Sequence, residues 1–225
     1  MEHCELLALV TGGSRGIGRI ICEQLQKDGY QVLAPSRSEL DLANIETVKN
    51  YISKNKNRPI SILINNAGIN FPAPIENILL DQWQSTLQVN LTSPFMLIQG
   101  LTQHMKKQRY GRIVNISSVF SFVTRENRAA YSAAKSGLNG LTRTAAVEFG
   151  PYNILVNSVC PGYIDTALTR QNNSPEQIKT IIESIPLGRM ADAVEIAELV
   201  SFLTSDKNSY ITGHTVVADG GFTCK

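Results

Sequence analysis

The sequence predicts a single α/β domain built on a doubly wound, mostly parallel sheet. Short apolar runs alternate with helical stretches, a glycine-rich turn directly follows the first of those runs, and small polar residues close several others. At 225 residues and 43% hydrophobic content, the chain can bury one substantial core. No linker rich in Pro, Gly or Ser, charge block, low-complexity tract or internal repeat divides it.

Leu6 to Val10 is an apolar run of the kind buried on both faces of a parallel sheet. It feeds Thr11-Gly12-Gly13-Ser14-Arg15-Gly16-Ile17-Gly18, and a helical pattern then runs through Ile21, Leu25 and Lys27 to Asp28-Gly29. Strand, turn and helix in this order form the first half of a dinucleotide site. Glycines permit the tight turn and let backbone N–H groups reach a pyrophosphate at the helix N-terminus. The spacing Gly-x-x-x-Gly-x-Gly departs from the commoner Gly-x-Gly-x-x-Gly.

Tyr30 to Ala34 reads as the second strand, followed by the short stretch Pro35 to Leu42 and a helix from about Ile45 to Lys54. Just past such a strand a carboxylate selects the adenosine 2′-hydroxyl, whereas a cation accommodates a 2′-phosphate. Arg37 stands there with no acid at that point, and Arg15 is close by in the turn, so the expected cofactor is NADP(H), with NAD(H) left open.

Ile60 to Ile64 is a third strand, ending in Asn65-Asn66-Ala67-Gly68 where open α/β sheets bind ligands. A long helix is expected from Asp81 to about Gln108, kinked around Asn90, because a mid-helix Asn competes for backbone groups. Gly111 to Ser117 is strand-like and delivers Ser117-Ser118; only one of these hydroxyls can face a cofactor, since successive strand residues point to opposite faces. Ile154 to Val159 is the next strand, closing at Cys160-Pro161-Gly162. A polar segment over about 163–186, with a short helix near 176–183, reads as a substrate lid. A helix at 193–203 and a strand at Thr215 to Ala218 complete the chain before Asp219-Gly220-Gly221.

Between these strands, Tyr131 and Lys135 stand four apart in an Ala-rich helical run that extends to about Phe149 and is stopped by Gly150-Pro151. On a helix they share a face one turn apart, and a nearby ammonium favours the phenolate. Tyr131 is thus a candidate acid/base with a pKa drawn toward neutrality.

A net charge of +2 offers no nucleic-acid or membrane surface. Cys4, Cys22, Cys160 and Cys224 are scattered without a Cys-x-x-Cys pair and read as reduced. His3, His104 and His214 lack ligand neighbours, so no metal site is expected. Without a leader or an 18-residue apolar run, the expectation is a soluble cytoplasmic protein.

Thr-Gly-x-x-x-Gly-x-Gly at 11–18, Asn-Asn-Ala-Gly at 65–68, Ser118, Tyr131 and Lys135 in order, Pro161-Gly162 and the closing Asp-Gly-Gly together resemble the short-chain dehydrogenase/reductase family. The likeness spans essentially the whole chain and is strongest to the 3-oxoacyl-carrier-protein reductase-like branch. It implies a Rossmann-type, seven-stranded sheet with helices on both faces, and hydride transfer between NADP(H) and a carbonyl or secondary alcohol. On matching positions, it implies that Tyr131 donates the proton, Ser118 bonds the carbonyl oxygen, Lys135 holds the nicotinamide ribose and lowers the Tyr131 pKa, and Asn90 anchors a water. Gly12, Ser14, Arg15, Gly16, Ile17 and Gly18 would line the pyrophosphate and adenosine, with Asp41 and Leu42 against the adenine. Asn66, Ala67 and Gly68 would follow the adenosine ribose, and Pro161, Gly162, Ile164 and Thr166 would face the nicotinamide.

The departure from the family lies between Ala34 and Ile45, where a helix-and-strand unit is compressed, so any Leu40–Leu42 strand should be very short or irregular. Phe71, Phe120, Phe122, Tyr163 and Leu168, or Asn70, Arg125, Asn127 and Arg128, are candidates to line the substrate pocket. The substrate is a small-molecule or carrier-bound carbonyl compound, and assembly as a homotetramer or homodimer through the long helices is carried by the resemblance. The alternative is a catalytically silent cofactor-binding regulatory or partner protein.

Overall fold

The computed structural model describes residues 6–171 and 173–224; His3, Cys4 and the side chain of Leu168 lie outside what it describes. The chain runs β1 (Leu7–Val10), α1 (Gly16–Lys27), β2 (Gln31–Leu33), α2 (Ile45–Asn55), β3 (Ile60–Asn65), α3 (Leu80–Leu87), α4 (Ser93–Leu101), α5 (Gln103–Gln108) and β4 (Gly111–Ile116). It continues through α6 (Ala129–Phe149), β5 (Ile154–Pro161), α7 (Ala167–Gln171), α8 (Pro175–Ser184), α9 (Ala193–Thr204) and β6 (Thr215–Ala218). Every strand pair is parallel, in the order β2-β1-β3-β4-β5-β6. The order reverses beside β1, the place where such sheets leave a crevice for a ligand.

Alternating strand residues feed two apolar layers. Ala8, Val10, Ile62, Ile64, Val114 and Val159 pack under α1 and α9 through Ile21, Leu25, Ile196 and Val200. Leu7, Leu9, Ile60, Leu63, Ile113 and Val156 pack on the other face against Leu97, Ile98, Leu101 and Phe149. Burial on both faces explains why these strands read as continuous apolar runs.

The described sheet has six strands where the family resemblance implies seven. The reason lies in the stretch from Ala34 to Asn44, which is too short for a helix and a strand. It forms turns instead: Leu40 N–H bonds to the Ser36 carbonyl and Asn44 N–H to the Asp41 carbonyl. Leu40 and Leu42 still sink into the α2/α4 layer, and Ser93 Oγ donates to the Leu42 carbonyl at 2.7 Å. Apolar anchoring survives, but β2 is left as the edge strand.

The single long helix expected over 81–108 is three segments. A π-helical turn at Gln88–Thr92 joins α3 to α4, and Ser93 N–H bonds to the Gln88 carbonyl. Pro94 has no N–H for the Asn90 carbonyl, and Asn90 Nδ2 takes the Thr86 carbonyl at 2.9 Å. Both effects disfavour the regular i to i+4 ladder at this point, and π turns of this kind cluster at functional sites.

Leu63 is fully buried at the centre of the sheet. Leu63→Ala should lower unfolding stability by about 2–5 kcal/mol, read as an earlier urea midpoint with little change in slope.

Candidate active site

The phosphate turn leaves the sheet at the switch point, with Thr11 N–H bonded to the Ile64 carbonyl at 3.0 Å. Gly12 lies at φ +67°, and a Cβ on Gly18 would come within 2.2 Å of the Gly12 carbonyl oxygen. A side chain at Gly18 would therefore push the turn open. Asn66 Nδ2 donates to the carbonyls of Thr11 (2.9 Å) and Gly12 (3.2 Å), while Thr11 Oγ1 accepts from the N–H groups of Asn66 and Ala67. Asn66 thus braces the turn with its amide. No side chain caps α1 and its first turn holds no acid, so those N–H groups are available to an external anion, and Ser14, Arg15 and Gly16 stand exposed around them. The residues present fit a dinucleotide pyrophosphate.

Beyond β2 the structure qualifies the reading of Arg37. Its guanidinium is 84% exposed and lies 3.6 Å from the Asp41 carboxylate, so an acid does stand beside this cation. Leu42 is a core residue packed in the layer beneath α2 and α4.

β4 delivers both serines to the cleft and sends them apart. Ser117 Oγ donates to the Lys135 carbonyl at 3.2 Å, whereas the Ser118 hydroxyl accepts from Phe120 N–H at 3.2 Å and stands near enough to the Tyr131 phenol to favour its ionised form. Tyr131, half-buried, and Lys135, buried, share one face of α6 with the buried Ala134, Leu138, Asn139 and Thr142. Lys135 is 3% exposed; its Nζ donates to the Ile116 carbonyl at 2.7 Å and lies 5.6 Å from the centre of the Tyr131 ring.

The expectation that Lys135 draws the Tyr131 pKa downward is corrected in the free chain. Burial raises the phenol above its ordinary value, outweighing the Ser118 hydrogen bond and the Arg128 charge that lower it. Burial also brings the Lys135 ammonium down to about 8. The phenol therefore stays protonated at neutral pH, the form that donates.

Asn90 sits on the π turn with its Nδ2 bonded to the Ile69 carbonyl at 2.8 Å, and its Oδ1 is buried without a partner. A Cβ on Gly68 would lie 2.7 Å from that oxygen and 3.6 Å from Lys135 Nζ. Glycine at 68 is what lets the amide oxygen and the ammonium approach one another. Where a kink is expected around Asn90 the helix forms a π turn, which brings the Asn90 amide oxygen to the space beside Lys135 Nζ.

Sequence reading missed the polar network beneath this group. Asn139 Nδ2 donates to Ser121 Oγ (2.8 Å), and Ser121 Oγ donates to the Ser118 carbonyl (2.6 Å). Ser158 Oγ donates to Asn139 Oδ1 (2.9 Å), and Asn115 links Asn65 to Thr142. Cys160 Sγ lies beside Ser121 and Asn139. The signal was present: 131, 135, 139 and 142 recur at helical spacing with polar side chains on a face that must be buried.

At the end of β5, Gly162 N–H bonds to the Ala218 carbonyl at 2.9 Å and continues Pro161 along β6. Ile164 packs into the core beside α9, and Thr166 Oγ1 accepts from Thr169 N–H to start α7. The Phe120 and Tyr163 ring centres lie 6.4 Å apart, and the Phe120 ring is 6.5 Å from Tyr131. Phe71 and Phe122 are exposed. Among the described residues no three His, Cys, Asp or Glu side chains gather as a metal site, and no helix is long and apolar enough to cross a membrane.

A family model described as enoyl-(acyl carrier protein) reductase matches residues 38–223, and one described as short chain dehydrogenase matches residues 6–56. The chain is 39% identical to an acetoacetyl-CoA reductase from Shinella zoogloeoides, covering 96% of this chain and 97% of that one. It is 38% identical to a 3-oxoacyl-[acyl-carrier-protein] reductase from Aquifex aeolicus, covering 96% of each. Together these place the chain in the short-chain dehydrogenase/reductase family. Among solved structures, a gluconate 5-dehydrogenase from Burkholderia cenocepacia in complex with NADP and tartrate superposes with a TM-score of 0.93 at 29% identity, over 100% of this chain and 98% of that one. A blue fluorescent protein from a metagenomic library, in complex with NADPH, gives 0.89 at 29% identity over 99% of each.

In the unfolded chain Lys135 titrates near its ordinary 10.5, against about 8 in the fold. From about pH 8 upward the unfolded state binds more protons than the native one, so this residue makes stability rise with pH. Urea unfolding at pH 7.5 and 9.5 should show the wild type gaining on Lys135→Met as pH rises; a constant difference contradicts the assignment.

Proposed function

We propose that the protein is an NADP(H)-dependent oxidoreductase that interconverts a carbonyl group and a secondary alcohol. The observation that supports this most directly is the meeting of the Tyr131 phenol and the Ser118 hydroxyl beside buried Lys135, at the carboxyl edge of β4. Ser118 donates a hydrogen bond to the carbonyl oxygen as negative charge builds on it, and the protonated Tyr131 phenol delivers its proton there. The bound nicotinamide supplies the hydride. Lys135 holds the ribose hydroxyls and offsets the charge left on Tyr131, while the unpartnered Asn90 Oδ1 accepts from a water through which Lys135 regains contact with solvent. The first-turn N–H groups of α1, with Ser14 and Arg15, receive the pyrophosphate. Arg37 and Arg15 receive a 2′-phosphate in preference to the hydroxyl of NAD(H), Asp41 notwithstanding.

The segment 163–186, with α7 and α8, serves as the lid over the substrate. The Shinella and Aquifex relatives point to 3-oxoacyl thioesters and the Burkholderia structure to sugar acids. The chain assembles as a homotetramer or homodimer in the cytoplasm through the outer faces of α4 and α6, where Phe95, Ala133 and Val147 are exposed.

Tyr131→Phe should lower kcat at least about a thousandfold while NADPH binding, followed by nucleotide fluorescence, changes little; retained turnover defeats the assigned role. With the same substrate, kcat/KM should favour NADPH over NADH by about tenfold or more, and Arg37→Ala should erase most of that ratio. Equal use of NADH by the wild type refutes the phosphate assignment.

A further inference from the structure

The loop between Ser118 and Tyr131 places two guanidiniums against the aromatic rings beside the Tyr131 phenol. Arg125 Cζ lies 5.7 Å from the Phe120 ring centre and 6.0 Å from that of Tyr163, and Arg128 Cζ lies 5.8 Å from Phe120. Phe120 in turn packs edge-on against Tyr131 at 6.5 Å. Arg128 immediately precedes α6 and stands three residues before Tyr131, so its charge is felt by the phenol.

Neither cation is neutralised. Among the described residues no carboxylate lies within ion-pair distance of Arg125 or Arg128, Glu126 included. Arg128 Nη1 reaches only the Asn127 carbonyl, at 3.5 Å, and Arg128 Nε is buried with no partner. A buried guanidinium N–H without an acceptor is costly, and two like charges sharing one aromatic ring add repulsion. Burial and the neighbouring Arg125 both disfavour the Arg128 charge. A purely structural cation–π role leaves both costs in place. An anion held between the two guanidiniums offsets their repulsion and the loss of solvation, and the planar Arg fork matches a carboxylate bidentately.

We propose that Arg128, with Arg125 beside it, receives a carboxylate carried by the substrate, so that the enzyme acts on oxo acids in preference to neutral ketones or esters. This rests on the reading of Tyr131 and Ser118 as the pair that grips the carbonyl oxygen.

The test compares 2-, 3- and 4-oxopentanoate with their methyl esters and with a neutral 3-oxoacyl thioester of N-acetylcysteamine, following NADPH consumption. At least one acid should exceed its ester by about tenfold or more in kcat/KM. Arg128→Gln should bring that ratio close to one, mainly through KM for the acid, and Arg128→Lys should keep part of it. Esters or the thioester matching every acid in the wild type overturns the proposal, as does Arg128→Gln lowering acid and ester alike, the mark of a structural role. Absence of turnover with every compound counts against the carbonyl-reductase reading instead. Calorimetric titration of the acids into the NADP complex then decides: uptake by wild type that Arg128→Gln loses supports the carboxylate site, and no uptake by wild type overturns it.

Discussion

The site depends on burying one ammonium. Lys135 lies on the inward face of α6 with its Nζ bonded to the Ile116 carbonyl, and so much desolvation is tolerable only because polar groups surround it. β4 supplies the Ile116 carbonyl and the two residues just past it are the serines, the π turn supplies Asn90 Oδ1, and Gly68 leaves room for that oxygen to approach. The Asn139–Ser121–Ser118 chain then holds the strand end in register with the helix. A helix packed purely through apolar contacts could slide or rotate slightly without large cost; one pinned by this network cannot.

Two local irregularities serve that arrangement. The π turn at Gln88–Thr92 gives up regular helix to aim one amide, and the turn at Gly12–Gly18 gives up side chains so that two backbones can meet. In each case the local cost is borne by the surrounding core, since α4 and α1 are anchored in separate apolar layers on opposite faces of the sheet.

The shortened unit after β2 is where this chain differs from its family. Its apolar residues Leu40 and Leu42 keep their core positions, so the layer beneath α2 and α4 is intact while the outer strand is gone. The change is confined to the β2 edge of the sheet, separated from β4 by β1 and β3. Arg37 and Asp41 stand on an exposed loop, whereas Lys135 and Asn90 are buried, so the two regions are built on different local constraints.

Most strands and helices were legible because burial on both sheet faces writes continuous apolar runs, and glycines mark the turns that need them. Ser118, Tyr131 and Lys135 were legible by order and spacing, and Asn90 by its poor fit to a regular helix. What the sequence by itself determined is the parallel α/β frame and the residues offered to its carboxyl edge. Only the tertiary structure decided that Arg128 stands beside the phenol without a carboxylate partner, and that burial raises rather than lowers the Tyr131 pKa. Proton affinity depends on desolvation and on charges brought together across the fold, and neither is a property of residues four apart on one helix.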